Sequence, residues 1–312
     1  MRVLVKGLLA FSLMFFLVAC DDDDDDNDRS SMSIVDVAAE AGSFTTLVTA
    51  LQATGLDSTL ADPEGNFTVF APSDAAFEKL GEETINNLLA DTDTLADILL
   101  YHVIVGATID STAAIESAGT TVEMANGDNV ALSLSGSDLL VNFSTVTGLD
   151  IMADNGIIHV IDTVLIPPTE SEEPVLNIAE TATANGNFTT LLTALAVAGL
   201  DSALADESAT YTVFAPTDAA FAALPDGTIA ALLADIDALT AVLARHVISG
   251  AAVDSVTALS LNNTEVETLL GENVSLQIID GALMVNNAKI EIFDIVTTNG
   301  IIHVIDAVIS ES

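Results

Sequence analysis

Phe67-Thr-Val-Phe-Ala-Pro-Ser-Asp-Ala-Ala-Phe77 returns as Tyr211-Thr-Val-Phe-Ala-Pro-Thr-Asp-Ala-Ala-Phe221, an offset of 144 residues. The stretch reads as a unit of local structure. Phe67 to Phe70 is a short apolar run with strand character, and Pro72 stops it. Ser73 or Asp74 then caps a helix that carries Ala75, Ala76 and Phe77. A strand, a tight turn and a helix start are written in eleven letters, and they are written twice.

The same offset relates other landmarks. Asn155-Gly-Ile-Ile-His-Val-Ile-Asp162 recurs unchanged as Asn299 to Asp306. His102-Val-Ile recurs at His246, Gly42 at Gly186 and Asn142 at Asn286. One unchanging spacing marks a duplicated unit with no net insertion in either copy. The polar, proline-bounded run Pro167-Pro-Thr-Glu-Ser-Glu-Glu-Pro174 lies between the copies. Eight residues span at most about 28 Å, so the copies are near neighbours. The expected boundaries are a leader over 1–19, a tether over 20–31, a first domain over 32–167, a linker over 168–174 and a second domain over 175–312.

Within one copy, helical signals come first and strand signals second. A short helix is expected over Ile34 to Glu40. Ser43 is placed to cap the next, in which Phe44, Leu47, Val48 and Leu51 follow helical spacing before Gly55. Further helices are expected over Glu82–Ala90 and Thr94–Tyr101. From Thr120 the pattern turns to strands, with alternation over Val130–Leu134, a short candidate over Asp138–Val141 and a doubly apolar strand over Gly156–Leu165. One strand, the opening stretch, falls among the helices. This segregation predicts an α+β fold rather than a doubly wound sheet.

Bulk composition bounds the function. The 312 residues hold 47 acidic and 6 basic side chains, a formal charge of −41. Phosphate would be repelled, so a nucleic-acid partner is excluded. The one cysteine, Cys20, precludes an internal disulfide and a thiolate metal cluster. Residues 1–20 read as basic Arg2 and Lys6, an apolar stretch too short to span a bilayer, and Leu17-Val18-Ala19-Cys20. That ending resembles a bacterial lipobox, which implies lipidation of Cys20 and a membrane-anchored protein, periplasmic or cell-surface. The Asp21–Asp26 run behind it cannot bury a core and reads as a solvated tether.

TVFAPSDAAF, YHVIVG and NGIIHVIDTVLIP, in that order, resemble the signature blocks and central tyrosine-histidine motif of the fasciclin domain. The resemblance implies a wedge of about seven strands with helices packed along one edge. It also implies adhesion to extracellular matrix, polysaccharide or cell-surface proteins, with no common enzymatic activity. Calcium-bridged contacts through the carboxylate surface are a further expected partner chemistry. The tyrosine-histidine motif, linked to receptor binding in some animal members, maps to Tyr101-His102. The second copy has Arg245-His246, so these four are the candidate interaction residues.

The remaining polar landmarks read as structural. His102 follows Leu95, Ile98 and Leu99 at helical spacing and faces the core, while His159 and His303 sit among isoleucines and valines. Asp74 and Asp218 suit capping, and Asp162 and Asp306 suit local pairing. No pattern for a catalytic nucleophile, phosphate loop, metal or cofactor is found. An adhesion protein is the expected function. A binding protein for a small or lipidic ligand is the alternative, to be marked by matching buried cavities in both copies, and a hydrolase is third.

Overall fold

The computed structural model describes residues 32–168 and 174–309; Cys20 and the acidic run lie outside the described residues. The described residues form one compact unit containing both copies.

The first copy opens with α1 (Ile34–Ala41), α2 (Thr45–Thr54) and α3 (Leu56–Leu60), followed by β1 (Phe67–Pro72). Then come α4 (Asp74–Glu78), α5 (Glu82–Ala90), α6 (Thr92–Leu100), β2 (Val103–Val105) and α7 (Ser111–Glu116). The copy closes with β3 (Thr120–Glu123), β4 (Asn129–Ser135), β5 (Asp138–Val141), β6 (Ser144–Ala153) and β7 (Gly156–Ile161). Its seven strands run in the order β2-β1-β7-β6-β5-β4-β3. Only β1 and β7 pair in parallel, Phe67 opposite Gly156 through Pro72 opposite Ile161. This is the α+β wedge.

The second copy repeats the plan. Its helices and strands begin with α8 (Ile178–Asn185), α9 (Thr189–Ala198), α10 (Asp201–Leu204) and β8 (Tyr211–Pro216). They continue through α11 (Asp218–Ala222), α12 (Thr228–Ala234), α13 (Ile236–Arg245), β9 (Val247–Ser249) and α14 (Ser255–Ser260). The sheet is completed by β10 (Thr264–Glu267), β11 (Asn273–Ile279), β12 (Ala282–Val285), β13 (Ala288–Thr297) and β14 (Gly300–Ile305).

The opening stretch is apolar without alternation because its strand is covered on both faces. Val69 and Ala71 join Phe44, Leu47, Leu51 and Leu99 beneath the helices. Phe70 points the other way, into a second cluster with Leu132, Val141 and Ile161. Alternate side chains therefore feed two cores, and no position is left for water.

Three local expectations change. Ser43 does not cap α2, which begins after Phe44 with no cap from its own turn. The carboxylate of Asp74, 29 residues on, does so instead, accepting from Thr45 N at 3.2 Å and Thr46 N at 2.8 Å. A second strand falls among the helices: β2 pairs antiparallel with β1 as an edge. And β6 is a strand that the sequence pattern does not announce, because bulges between Val146 and Ile151 break its alternation.

The copies meet through a heterologous contact. α14 packs against β4 and β3 of the first sheet as well as β11 of its own. Ala131 of β4 thereby joins the apolar cluster of the second sheet. Phe143 and Phe293 meet across the seam with ring centres 5.5 Å apart. Asn262 clamps both sides: its amide donates to Leu134 O at 2.9 Å and its oxygen accepts from Ile278 N at 2.8 Å.

The faces equivalent to this contact, on the outer ends of the pair, differ from it. Leu259 is 1% exposed at the seam, whereas its counterpart Ile115 is 41% exposed. Burying such a side chain contributes roughly 2 kcal/mol. Ser260, buried at the seam, is matched by the exposed Glu116, and Asn262 by Ala118. The free end thus carries a charge where the seam has none and lacks the clamp.

Asn262→Ala should loosen the seam without unfolding either copy. It removes the acceptor of a half-buried amide and one cross-seam bond, a loss of about 1–3 kcal/mol. The Ile278 amide should exchange with deuterium roughly ten to a hundred times faster. Unchanged protection at Ile278 would show that the clamp contributes nothing.

Candidate functional site

The candidate interaction residues stand at the end of α6. Asp91 caps that helix, accepting from Thr94 N, and its apolar residues Leu95, Ile98 and Leu99 are buried. The helix closes on Tyr101, so Tyr101 and His102 are delivered inward, between helix and sheet.

Tyr101 is fully buried. Its hydroxyl donates to Asn129 O at 2.7 Å and accepts from the Asn142 amide at 3.0 Å. Asn142, at φ 54° like its counterpart Asn286 at φ 51°, takes Ala131 N on its other end at 2.8 Å. Burial pushes the phenol up to about 12. The second copy builds the corner from an ion pair: Arg245, 5% exposed, holds the exposed carboxylate of Glu272 at 2.9 Å. A neutral network in one copy is a charged one in the other.

His102 is enclosed as well. Its Nε2 accepts from Leu165 N at 2.9 Å, which requires the proton on Nδ1, and Nδ1 donates to Ile98 O at 2.7 Å. The backbone carbonyl of His102 takes Phe70 N. One residue therefore ties α6, β1 and the chain after β7 together. His246 repeats each bond, to Val242 O, Ile309 N and Phe214 N. Burial pushes both imidazoles down to about 4.

The structure places the four candidate interaction residues inside the fold rather than on its surface. Tyr101, His102, Arg245 and His246 are all buried, and Tyr101 also borders a hollow between the copies. They organise the helix–sheet corner from inside.

His159 and His303 use the opposite tautomer. Nε2 donates to Ile109 O and Val253 O, each at 2.8 Å, and the rings stack on Phe70 and Phe214. Burial lowers His303 as well. All four histidines thus have both ring nitrogens engaged. An acid–base role would have to break a structural bond first.

The aspartates are anchors. Asp218 repeats the Asp74 cap on α9, and its bonds from the Thr189 hydroxyl and Thr190 N–H hold it down to about 2. The helices those aspartates begin are themselves capped by Ser73 and Thr217. Asp162 accepts from Thr145 N at 2.8 Å and pairs with Lys79 at 3.2 Å. Burial alone would raise it, but these bonds bring it below the usual carboxylate range. Asp306 takes Lys289 N at 2.8 Å. Among the described residues no three His, Cys, Asp or Glu side chains converge as metal ligands.

The hollow between helices and sheet in the first copy has a volume of about 10 Å³. The second copy has an open groove of about 240 Å³ on its helices, lined by Phe221, Ile229, Leu232 and Leu233. The larger hollows lie along the seam between the copies, which no motif pointed to. They depend on pairs such as Phe143 and Phe293, whose 144-residue counterparts are Asn287 and Leu149.

The family model described as the fasciclin domain matches residues 42–167 and again 186–311. Transforming growth factor-beta-induced protein ig-h3 of Sus scrofa is 30% identical over 247 residues, covering 78% of this chain and 34% of that one. Cell surface glycolipoprotein MPB83 of Mycobacterium bovis is 37% identical over 106 residues, 34% of this chain and 46% of that one. The chain therefore spans about a third to a half of the length of these relatives. A solved FAS1 domain pair from the insect cell adhesion molecule fasciclin I aligns at 19% identity with a TM-score of 0.38, covering 87% of this chain and 98% of that one.

Proposed function

This chain belongs to the fasciclin-domain family, and we propose that it is an exported, lipid-anchored interaction protein. It binds extracellular matrix, polysaccharide or other cell-surface components through its paired domains. The observation that carries this reading is the conjunction of two fasciclin domains with a sole cysteine placed at a lipobox-like Leu17-Val18-Ala19-Cys20. A relative named as a cell surface glycolipoprotein supports it.

Two domains on one anchor suit weak, repeated contacts. Each site then needs little affinity, because anchored copies raise the effective concentration of the others. The acidic run after Cys20 would hold the pair off an anionic lipid surface. With the tyrosine-histidine corners enclosed, partners would meet other outward faces of the wedge. The hydrolase reading has no support in the four histidines, whose ring nitrogens already serve the fold.

Cys20→Ser should move the protein from the membrane fraction to the soluble fraction, since no acyl chain would remain to hold it. Attachment of cells to matrix- or polysaccharide-coated surfaces should fall to the level of a deletion strain. Membrane retention of the serine variant would refute lipidation. Normal attachment by the deletion strain would refute adhesion, and attachment unmoved by chelation would refute calcium bridging.

A further inference from the structure

Of the hollows along the seam, two share four lining residues. One, of about 320 Å³, is lined by Phe143, Val164 and Ile166 of the first copy and by Val256 and Leu259 of α14. The other, of about 370 Å³, includes Phe293, Val296 and Ile301. Pro168, Ser255, Val256 and Asp294 border both, so the two make one groove. Mostly apolar clefts of this size at a domain boundary, with a few polar groups, are the usual form of a small-ligand site.

The groove is particular to the seam. Phe143 and Val256 correspond to the exposed Asn287 and Thr112 on the outer ends of the pair. Its polarity has one sign. Asp254 and Asp294 line these two hollows and no lysine or arginine does, Lys289 and Glu291 standing in a third seam hollow that shares Phe143 and Phe293 with them. Asp294 accepts from the Ser255 N–H and hydroxyl, and Asp254 from Thr257 N. These bonds fix both carboxylates while using only part of their acceptor capacity.

We propose that the seam groove binds a small molecule with an apolar body and a positively charged amine. The apolar floor takes the body, and the carboxylates of Asp254 and Asp294 take the amine. The inference is independent of the adhesion reading.

Three naphthyl probes of similar size separate shape from charge: 1-naphthylmethylamine, 1-methylnaphthalene and 1-naphthylacetate. Each is titrated calorimetrically into the chain from Met32, which carries both complete cores, in 0.5 M NaCl to suppress diffuse attraction to the acidic surface. The amine should bind at one site per chain, at least tenfold more tightly than the neutral probe, and the acetate should not bind. Pro168→Trp and Ile166→Trp place bulk at exposed positions bordering the groove and leave the net charge unchanged. Either should weaken the amine at least tenfold while urea unfolding stays as in the parent. Undiminished binding in both variants, several sites per chain, or equal affinity for the neutral probe would overturn the proposal. So would binding of a polylysine peptide without binding of the amine.

Discussion

Gly300→Ala should strongly destabilise the second copy while the first keeps most of its stability. A methyl group there would lie 1.9 Å from Tyr211 O and 2.8 Å from Tyr211 C. Those are backbone atoms of β8, which pairs with β14 in parallel at this position. Relief would require the two central strands to part, at a cost on the order of 4 kcal/mol. Gly156→Ala makes the same demand of the first copy, at 2.2 Å from Phe67 O. The chain supplies its own reporters: it has no tryptophan and two tyrosines, Tyr101 in one copy and Tyr211 in the other. With Tyr101→Phe as background, the Tyr211 urea transition of Gly300→Ala should move down by roughly 2 M. A midpoint within a few tenths molar of the parent would mean that the strands yield cheaply and that the close approach is not a constraint.

That glycine belongs to a block whose importance shows in the sequence, and the reason is physical. Strands covered on both faces write continuous apolar runs, as Phe67–Phe70 and Gly156–Ile161 do. Some helices keep the limits their residues suggest, as Glu82–Ala90 does. The fold class and the duplication follow from such local marks, and the resemblance adds the wedge. What stays hidden depends on contacts between distant residues. Asp74 sits at the start of a helix, so its short carboxylate reads as that helix's cap, yet it caps α2 instead. β6 carries Gly148 and Asp150, at φ 56°, in its bulges and so loses the period of a strand. Tyr101 ends a helix in a motif associated with binding, and only the tertiary structure shows it buried. The seam is the hardest case. Leu259 and Ile115 are the same kind of residue at equivalent positions, one buried and one exposed, because only one has a neighbouring domain over it.

Acid should weaken each copy through its buried histidine well before most carboxylates titrate. His102 and His246 stay neutral in the folded chain down to about pH 4, because burial opposes the charge. In the unfolded chain an imidazole takes its proton near 6.5. Between those values the unfolded state binds more protons, so stability falls as pH falls. The slope is about 1.4 kcal/mol per pH unit for each histidine, and the loss reaches roughly 3 kcal/mol by pH 4. The acidic surface works in the opposite sense, since protonating repelling carboxylates favours the compact state. Measurement in 1 M NaCl, where the Debye length is about 3 Å, suppresses that contribution. His102→Gln keeps a donor and an acceptor at the corner but cannot titrate. It should lower the Tyr101 transition at pH 7 and flatten its dependence between pH 6.5 and 4.5, leaving the Tyr211 transition as steep as before. His246→Gln should flatten the Tyr211 transition only in part, because burial holds His303 down in the same copy. An unchanged slope at Tyr101 in His102→Gln would mean that the buried imidazole is not the group through which acid unfolds the first copy.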